Sequence, residues 1–168
     1  GHSYLIFEDG IGVCSSLIAK FSENEGSIIR VSSGKKFTKH ASNHYAINPE
    51  VASDYLELFS SLNATSNLPD HIIHGLGITE NLPEYLNEEE FRYYSNIFFH
   101  SLIHVIKAAQ KYGGILGKQI HVLTNDLHHI YQSDGYSAVK SMVIGLLKVI
   151  PQEYPSTNCK HIDISLEE

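Results

Sequence analysis

The sequence predicts an α/β domain in which a largely parallel sheet is covered by helices on both faces. Strand-like and helix-like segments alternate along the whole chain, and parallel strands need a crossover connection that is usually a helix. The length of 168 residues and the hydrophobic fraction of 42% are sufficient for one domain with a buried core. A single domain with alternating strands and helices is therefore expected.

The first half of the chain begins with a strand, a turn and a helix. Strands are predicted at residues 4–7, 27–32 and 43–47. The turn Asp9–Gly10 ends the first strand, and the helix after it carries Val13, Leu17 and Phe21 at helical spacing. Ser53 or Asp54 is expected to cap a second helix, whose apolar stripe contains Tyr55, Leu56, Phe59 and Leu62.

The second half continues the same alternation. Buried strands are predicted at residues 70–76, 119–124 and 161–165. Asn87 is expected to cap a long helix over 88–112, and a further helix is expected over 136–149. The connection 79–87 contains Pro83 and is predicted to be a surface loop or a small lid.

Composition excludes several classes of function. Twelve Lys and Arg oppose 19 Asp and Glu, for a formal charge of -7, and the basic residues are scattered, so nucleic acid is not an expected partner. No apolar run is long enough to span a bilayer, and no signal-like start is present. Both observations favour a cytoplasmic protein without a membrane partner. The opening residues 1–3 resemble an expression-tag remnant, which leaves 4–168 as the domain.

The first turn is the candidate site for the diphosphate of a dinucleotide. Gly10 and Gly12 fit the first two glycines of G-x-G-x-x-G, but Ser15 occupies the third position. Glu8 and Asp9 add negative charge beside the place where a diphosphate would lie, and each would oppose it by roughly 1 to 4 kcal/mol. The loop is therefore degenerate, and no cofactor-binding or metal-binding residue is assigned to it.

A catalytic trio can nevertheless be assembled from the later segments. Tyr136 and Lys140 have the spacing that short-chain dehydrogenases use, and Thr124 lies about a dozen residues before the tyrosine. Tyr136 would act as general acid, Lys140 would lower its pKa and bind a ribose, and Thr124 would polarise a ketone. Because hydride must come from a cofactor and the phosphate loop is degenerate, we do not expect this trio to catalyse a reduction.

Eleven histidines suggest a metal site, and the geometry argues against one. His100 and His104 lie one helical turn apart and form the best candidate pair. His71 and His74 flank a strand interior, and His128–His129 are adjacent and point in different directions. No carboxylate or cysteine stands at a supporting spacing, so we expect packed or surface histidines and no metal.

Several segments together carry a family resemblance. They are YLIFEDGIGVCSSLIAKF, HYAINPEVASDYLELFSSL, HIIHGLGI and KVIPQEYPSTNCKHIDI, of which the last is the most specific. Over Tyr4 to Leu166 the chain resembles the structural subdomain of the ketoreductase region in modular type I polyketide synthases. The resemblance implies a truncated Rossmann-like fold with three layers, a copy of a short-chain dehydrogenase that has lost its cofactor.

In that family the structural subdomain braces a catalytic half that follows in the same polypeptide. The resemblance implies that this second half binds NADPH and reduces β-ketoacyl groups held on an acyl carrier protein, among other synthase domains. Tyr93 and Phe99 are expected on the long helices that build dimer interfaces in dehydrogenases, so they would face the catalytic half or a second copy. The glycine motif and the catalytic residues are expected in the following half.

Two other functions remain open at the level of sequence. The first is a free-standing NADPH-dependent reductase that uses Thr124, Tyr136 and Lys140. The second is a scaffold or docking module between synthase domains. The three hypotheses differ in cofactor binding and in partner, so titration with NADPH separates the reductase from the other two.

Overall fold

Seven strands form one sheet in the computed structural model, which describes residues 1–22, 26–83, 85–113, 115–127 and 138–166. The strand order is β3-β4-β2-β1-β5-β6-β7. All neighbouring strands run parallel except β3 and β4, which are antiparallel. The predicted α/β class with a mostly parallel sheet is confirmed. The strands are β1 (Ser3–Phe7), β2 (Ser27–Ser33), β3 (Thr38–Ala41), β4 (His44–Ile47), β5 (His71–Gly77), β6 (Gln119–Asn125) and β7 (Asn158–Ile164).

Helices form the crossover connections between the parallel strands, except between β2 and β4, where the connection contains β3. A five-residue π-helical turn, Asn96–His100, joins two of them into the long helix that the sequence predicts over 88–112. Within the described ranges, no helix combines the length and the apolar character needed to cross a membrane. The helices are α1 (Val13–Ser22), α2 (Ala52–Ala64), α3 (Glu88–Ser95), α4 (Ser101–Gly113) and α5 (Ala138–Glu153).

Alternation along the strands divides the core into two parts, because successive side chains point to opposite faces of a sheet. Leu5, Ile29 and Ile72 belong to the larger cluster, which they share with side chains of α2, α4 and α5. Ile6 and Ile73 belong to the smaller cluster, which is packed against α1. The first side of the sheet is called the three-helix face below, and the second is called the α1 face.

One of the two predicted helix caps is confirmed and the other is wrong. Asn87 accepts the amide of Glu90, and the Glu90 carboxylate accepts the amide of Asn87, which forms a complete capping box. Neither Ser53 nor Asp54 caps α2, which begins at Ala52, after Val51, without a side-chain cap. Asp54 instead lies inside the first turn, where its carboxylate accepts the amide of Asn48 at 2.8 Å and holds the preceding turn.

Other differences from the sequence prediction occur at the edges of the sheet. The short polar strand β3 was not predicted, because it is defined by backbone pairing with β4 rather than by apolar side chains. The last strand begins at Asn158 instead of residue 161, and the first begins at Ser3 instead of Tyr4. That residues 1–3 are a tag remnant remains a prediction.

His74 is a fully buried polar residue at the centre of the three-helix face. Its Nε2 lies 2.7 Å from Ser101 Oγ, and the Ser101 hydroxyl donates to the Ile97 carbonyl in the π-helical turn. Because that hydroxyl proton is already used, His74 must donate through Nε2–H. Its Nδ1 has no hydrogen-bond partner among the described residues, and burial lowers the pKa of His74 to about 4.

We expect the free energy of unfolding to fall as the pH decreases from 6.5 to 4. His74 has a lowered folded-state pKa, so its contribution is complete above the usual value of 6.5 and is lost as the pH approaches about 4. A shift of this size corresponds to about 3 kcal/mol. Urea unfolding across this pH range measures it, and His74→Gln should flatten the dependence while the exposed His40→Gln retains it. An unchanged slope in His74→Gln would contradict the assignment.

Candidate functional site

A cleft of about 550 Å³ opens at the carboxyl ends of β1, β2, β4 and β5. At this point β1 lies between β2 and β5, and the connections leave the sheet in opposite directions. Ligands of open α/β sheets bind at such a reversal of strand order. The cleft is therefore the place to test for a dinucleotide. Its lining includes Asp9, Gly10, Ser33, Gly34, Lys35, Glu50, Thr79, Tyr93, Tyr94 and Phe98.

The carboxylate of Asp9 occupies the anion-binding end of α1. Its Oδ1 accepts the amides of Ile11, Gly12 and Val13 at 2.8, 2.6 and 3.1 Å, and its Oδ2 accepts the amide of Cys14 at 2.6 Å. In a dinucleotide-binding fold the amides at this position are offered to the diphosphate. Here the four donors are already satisfied by a side chain of the same loop.

The electrostatics of Asp9 agree with this geometry. Partial burial raises the pKa of its carboxyl, but hydrogen bonds from Cys14, Ile11 and Val13 outweigh that effect and lower the pKa below its usual value. The group is therefore an anion at neutral pH. A diphosphate would have to displace this anion and accept the same four amides, so the residues present do not fit the diphosphate of a dinucleotide.

Glu8 does not contribute the repulsion that its charge suggests. The Arg30 guanidinium donates to both of its carboxylate oxygens, from Nε at 2.8 Å and from Nη2 at 3.0 Å. The hydrogen bond to Glu8 raises the pKa of Arg30. This pair ties β1 to β2 and neutralises Glu8, so the charge argument from the sequence holds for Asp9 and not for its neighbour.

The degenerate glycine pattern has a local structural explanation. Gly12 has a φ of 94°, a left-handed value that favours glycine, and it lets the chain turn into α1 beneath the Asp9 carboxylate. Ser15 is exposed on α1, so the third position of the motif makes no close contact with the sheet. Close approach occurs instead at Gly75 of β5, where a Cβ would lie 2.4 Å from Cys14 Sγ. The sequence alone does not single out Gly75, because its contact, Cys14, is 61 positions away along the chain.

Thr124 of the predicted trio is a structural tie between β6 and β7. Its Oγ1 lies 2.7 Å from His161 Nε2 and donates to Asp163 Oδ1 at 2.6 Å. The Asp163 carboxylate also accepts the amide of Leu127. Thr124 is buried, and both its donor and its acceptor functions are used by the neighbouring strand, so its hydroxyl is committed to this contact.

Lys140 is also held inside the protein. Its Nζ donates to the Asn125 carbonyl at 3.0 Å and to Asn125 Oδ1 at 2.7 Å, and it lies 5.7 Å from the centre of the Phe98 ring. Burial lowers the pKa of Lys140 to about 8, although the negative charges of Asp126 and Asp163 act to raise it. The remaining member, Tyr136, lies outside the described residues. Thr124 and Lys140 thus lie near the same end of β6 and are tied to different partners.

The histidines considered as metal ligands are only partly within the described residues, and the expected absence of a metal site remains a prediction. Within the described part of the chain, no group of three or more His, Cys, Asp or Glu side chains could hold a metal ion. His104 packs against Tyr55 with ring centres 5.4 Å apart, and His100 is exposed. His71 lies beside His121, whereas His128 and His129 fall outside the described residues.

Solved structures with the same fold include parts of biosynthetic assembly lines. One contains the adenylation, ketoreductase and pseudo Asub domains of a keto acid-selecting NRPS module; its TM-score is 0.88 at 24% identity, over 100% of this chain and 14% of that chain. Another is an N-terminal ketoreductase from the macrolactin assembly line; its TM-score is 0.81 at 21% identity, over 98% of this chain and 32% of that chain. The aldohexose dehydrogenase of Thermoplasma acidophilum has a TM-score of 0.73 at 15% identity, over 98% of this chain and 67% of that chain.

The fold is Rossmann-like and similar to that of short-chain dehydrogenases, and the position that a diphosphate takes in such folds is filled here by the Asp9 side chain. Residues 2–168 match the family model described as Beta-ketoacyl synthase-like, N-terminal, and the chain belongs to that family. It spans less than a third of the two assembly-line chains that it matches. None of the curated proteins matches its sequence.

Asp9→Ala is expected to lower the free energy of unfolding by about 1–2 kcal/mol, because the first turn of α1 loses its cap. Asp9→Asn should lose less, since Oδ1 can still accept the amides of Ile11, Gly12 and Val13. Urea unfolding at neutral pH measures both. Wild-type stability in Asp9→Ala would show that the carboxylate does not hold the loop.

Proposed function

We propose that the chain is the non-catalytic structural subdomain of a polyketide synthase ketoreductase. In this proposal it braces an NADPH-binding catalytic half of the same cytoplasmic polypeptide, which reduces β-ketoacyl groups on an acyl carrier protein. The observation that carries the proposal is the Asp9 carboxylate on four amides of the β1–α1 turn. A reductase must bind its hydride donor, and this loop offers its anion-binding donors to its own side chain.

The positions of Thr124 and Lys140 support the same function. Thr124 joins two strands, and Lys140 fixes α5 to the end of β6, so each stabilises the carboxyl edge of the sheet. A free-standing reductase would need both groups to contact substrate or cofactor. Their present hydrogen bonds favour a supporting role over catalysis.

The surface formed by α3 and α5 is suited to contact the catalytic half. These helices lie side by side, with Ser95 Oγ 3.8 Å from Met142 Sδ. Large apolar side chains on them are exposed, namely Phe91 and Tyr93 of α3 and Val149 of α5. Exposed apolar side chains on neighbouring helices favour association with another protein surface.

Titration with NADPH tests the absence of cofactor binding. We expect no saturable change in NADPH fluorescence or in melting temperature at micromolar concentrations, because the diphosphate would have to displace Asp9. An active short-chain reductase serves as the positive control. Saturable micromolar binding by the wild-type chain would contradict the proposal and favour the reductase that uses Thr124, Tyr136 and Lys140.

Addition of the separately produced catalytic half tests the bracing role. The melting temperatures of both pieces should rise on mixing, since binding to the folded state stabilises it by mass action. Phe91→Ser and Val149→Ser should weaken the rise, whereas Leu116→Ser, at an even more exposed apolar position in the turn before β6, should not. No rise on mixing would count against bracing. Sedimentation of the chain alone would reveal whether it forms a homodimer.

A further inference from the structure

The apolar residues of the segment 88–113 have the spacing of one continuous α-helix. They recur every three or four residues, and in an uninterrupted helix such residues share one face. Tyr94 is half-buried, whereas Phe91, which continues the same series, is 46% exposed. The spacing therefore predicts Phe91 on the buried face, and the structure turns it outward. The buried members of the series are Phe98, Leu102, Val105 and Ala109.

The π-helical turn Asn96–His100 accounts for this difference. It uses one more residue than an α-helical turn, because its hydrogen bonds span five residues instead of four. Successive residues of an α-helix are about 100° apart, so one additional residue rotates α3 by about 100° relative to α4. Each residue of α3 then takes the place that the next residue would have in a continuous helix. Glu90 is accordingly half-buried, while Phe91 and Tyr93 are exposed.

Ser101 supplies the hydrogen bond that the π-helical turn removes. Its amide donates to the Asn96 carbonyl, five residues back, and the Ile97 carbonyl, four residues back, accepts the Ser101 hydroxyl instead. The hydroxyl oxygen in turn accepts Nε2–H of His74 from β5 at 2.7 Å, and both side chains are fully buried. Leaving a partly buried carbonyl without a donor is unfavourable, so this pair of side chains favours the π-helical turn over a continuous helix.

We propose that Ser101 and His74 are positioning residues that hold α3 in its present rotation. This rotation displays Phe91 and Tyr93 beside the exposed Val149 of the neighbouring α5. With a continuous helix, Phe91 would turn to the buried face and this surface would lose it. The surface is one that a second protein would contact, and its identity as the catalytic half rests on the proposed function.

Ser101→Ala tests this role, with Phe91→Cys as the reporter. Alanine cannot bond the Ile97 carbonyl, which a continuous α-helix pairs with the amide of residue 101, so the variant should adopt the α-helical rotation. Labelling of Phe91→Cys by a small thiol reagent should then be about tenfold slower, because the side chain reacts only from a minor open state. Val149→Cys should be labelled at one rate with and without Ser101→Ala, and the parent chain gives the background from its own cysteines.

Two substitutions of His74 form a matched pair. His74→Leu leaves the Ser101 hydroxyl without its donor from β5, so it should also slow the labelling of Phe91→Cys, to a smaller extent. His74→Gln can donate a hydrogen bond as the histidine does, and it should retain the fast rate. Should Ser101→Ala fail to fold, as judged by circular dichroism, this pair makes the same comparison, and equal labelling of the two would overturn the proposal.

Deletion of the exposed His100 separates rotation from stability. It removes one residue from the turn, so a continuous α-helix then places α3 in the rotation that the π-helical turn gives now. Phe91→Cys should therefore be labelled fast in the deletion variant, even together with Ser101→Ala. A general loss of stability would not be repaired by a deletion, so this restoration is specific to the rotation of α3.

Equal labelling of Phe91→Cys with and without Ser101→Ala would overturn the proposal, as would slow labelling that deletion of His100 does not restore. The rise in melting temperature on mixing with the catalytic half should be smaller for Ser101→Ala and should return with the deletion. If the wild-type chain shows no such rise, the proposed function fails, and the labelling rates still decide the role of Ser101 and His74.

Discussion

The contact between the Asp9 carboxylate and the first turn of α1 determines which backbone amides the carboxyl edge of the sheet can offer to a ligand. Four amides that would otherwise need an external anion are paired inside the protein, at distances of 2.6–3.1 Å. Unpaired amides at a helix start require a partner, and a fixed carboxylate is also favoured by the positive end of the helix. The loop is therefore ordered without a ligand, and the cleft beside it has lost its diphosphate-binding donors.

A second set of buried polar contacts lies further along the same edge of the sheet. Asn125 exchanges two hydrogen bonds of 2.9 Å with the backbone of Thr79, and Lys140 donates to the same amide oxygen. Leaving such groups unpaired in the interior would cost about 1–3 kcal/mol each, so the network holds the ends of β5 and β6 and the start of α5 in one arrangement. The lysine spacing typical of a dehydrogenase persists in this chain with a different set of partners.

The sequence predicts the elements whose signals are local. Periodicity located the long helix and most strands, and the Asn87–Glu90 capping box is readable within four residues. Contacts between distant positions were not predictable in this way. The pairing of Glu8 with Arg30 and the approach of Cys14 to Gly75 depend on which strands become neighbours. The charge argument singled out Asp9 but treated it as a source of repulsion, whereas it acts as the bound anion.

The β3–β4 hairpin and the π-helical turn show a further limit. Thr38–Ala41 carries no apolar pattern and forms a strand because its backbone pairs with β4. The π-helical turn coincides with the Ser101 hydroxyl bond to Ile97 and the buried His74 beneath it, both of which are tertiary contacts. Signals of this kind appear in the structure alone, because hydrogen bonds rather than side-chain periodicity define these elements.

The internal hydrogen bonds at the carboxyl edge would suit the bracing role proposed above. In a cofactor-dependent enzyme the loops at the carboxyl edge gain part of their order from the ligand, so their geometry varies with occupancy. In this chain Asp9, Asn125 and Lys140 supply that order from within. A surface fixed independently of ligand loses less conformational freedom when a partner docks. In the proposed function, the internal carboxylate therefore fills the diphosphate position and keeps the docking surface in one arrangement.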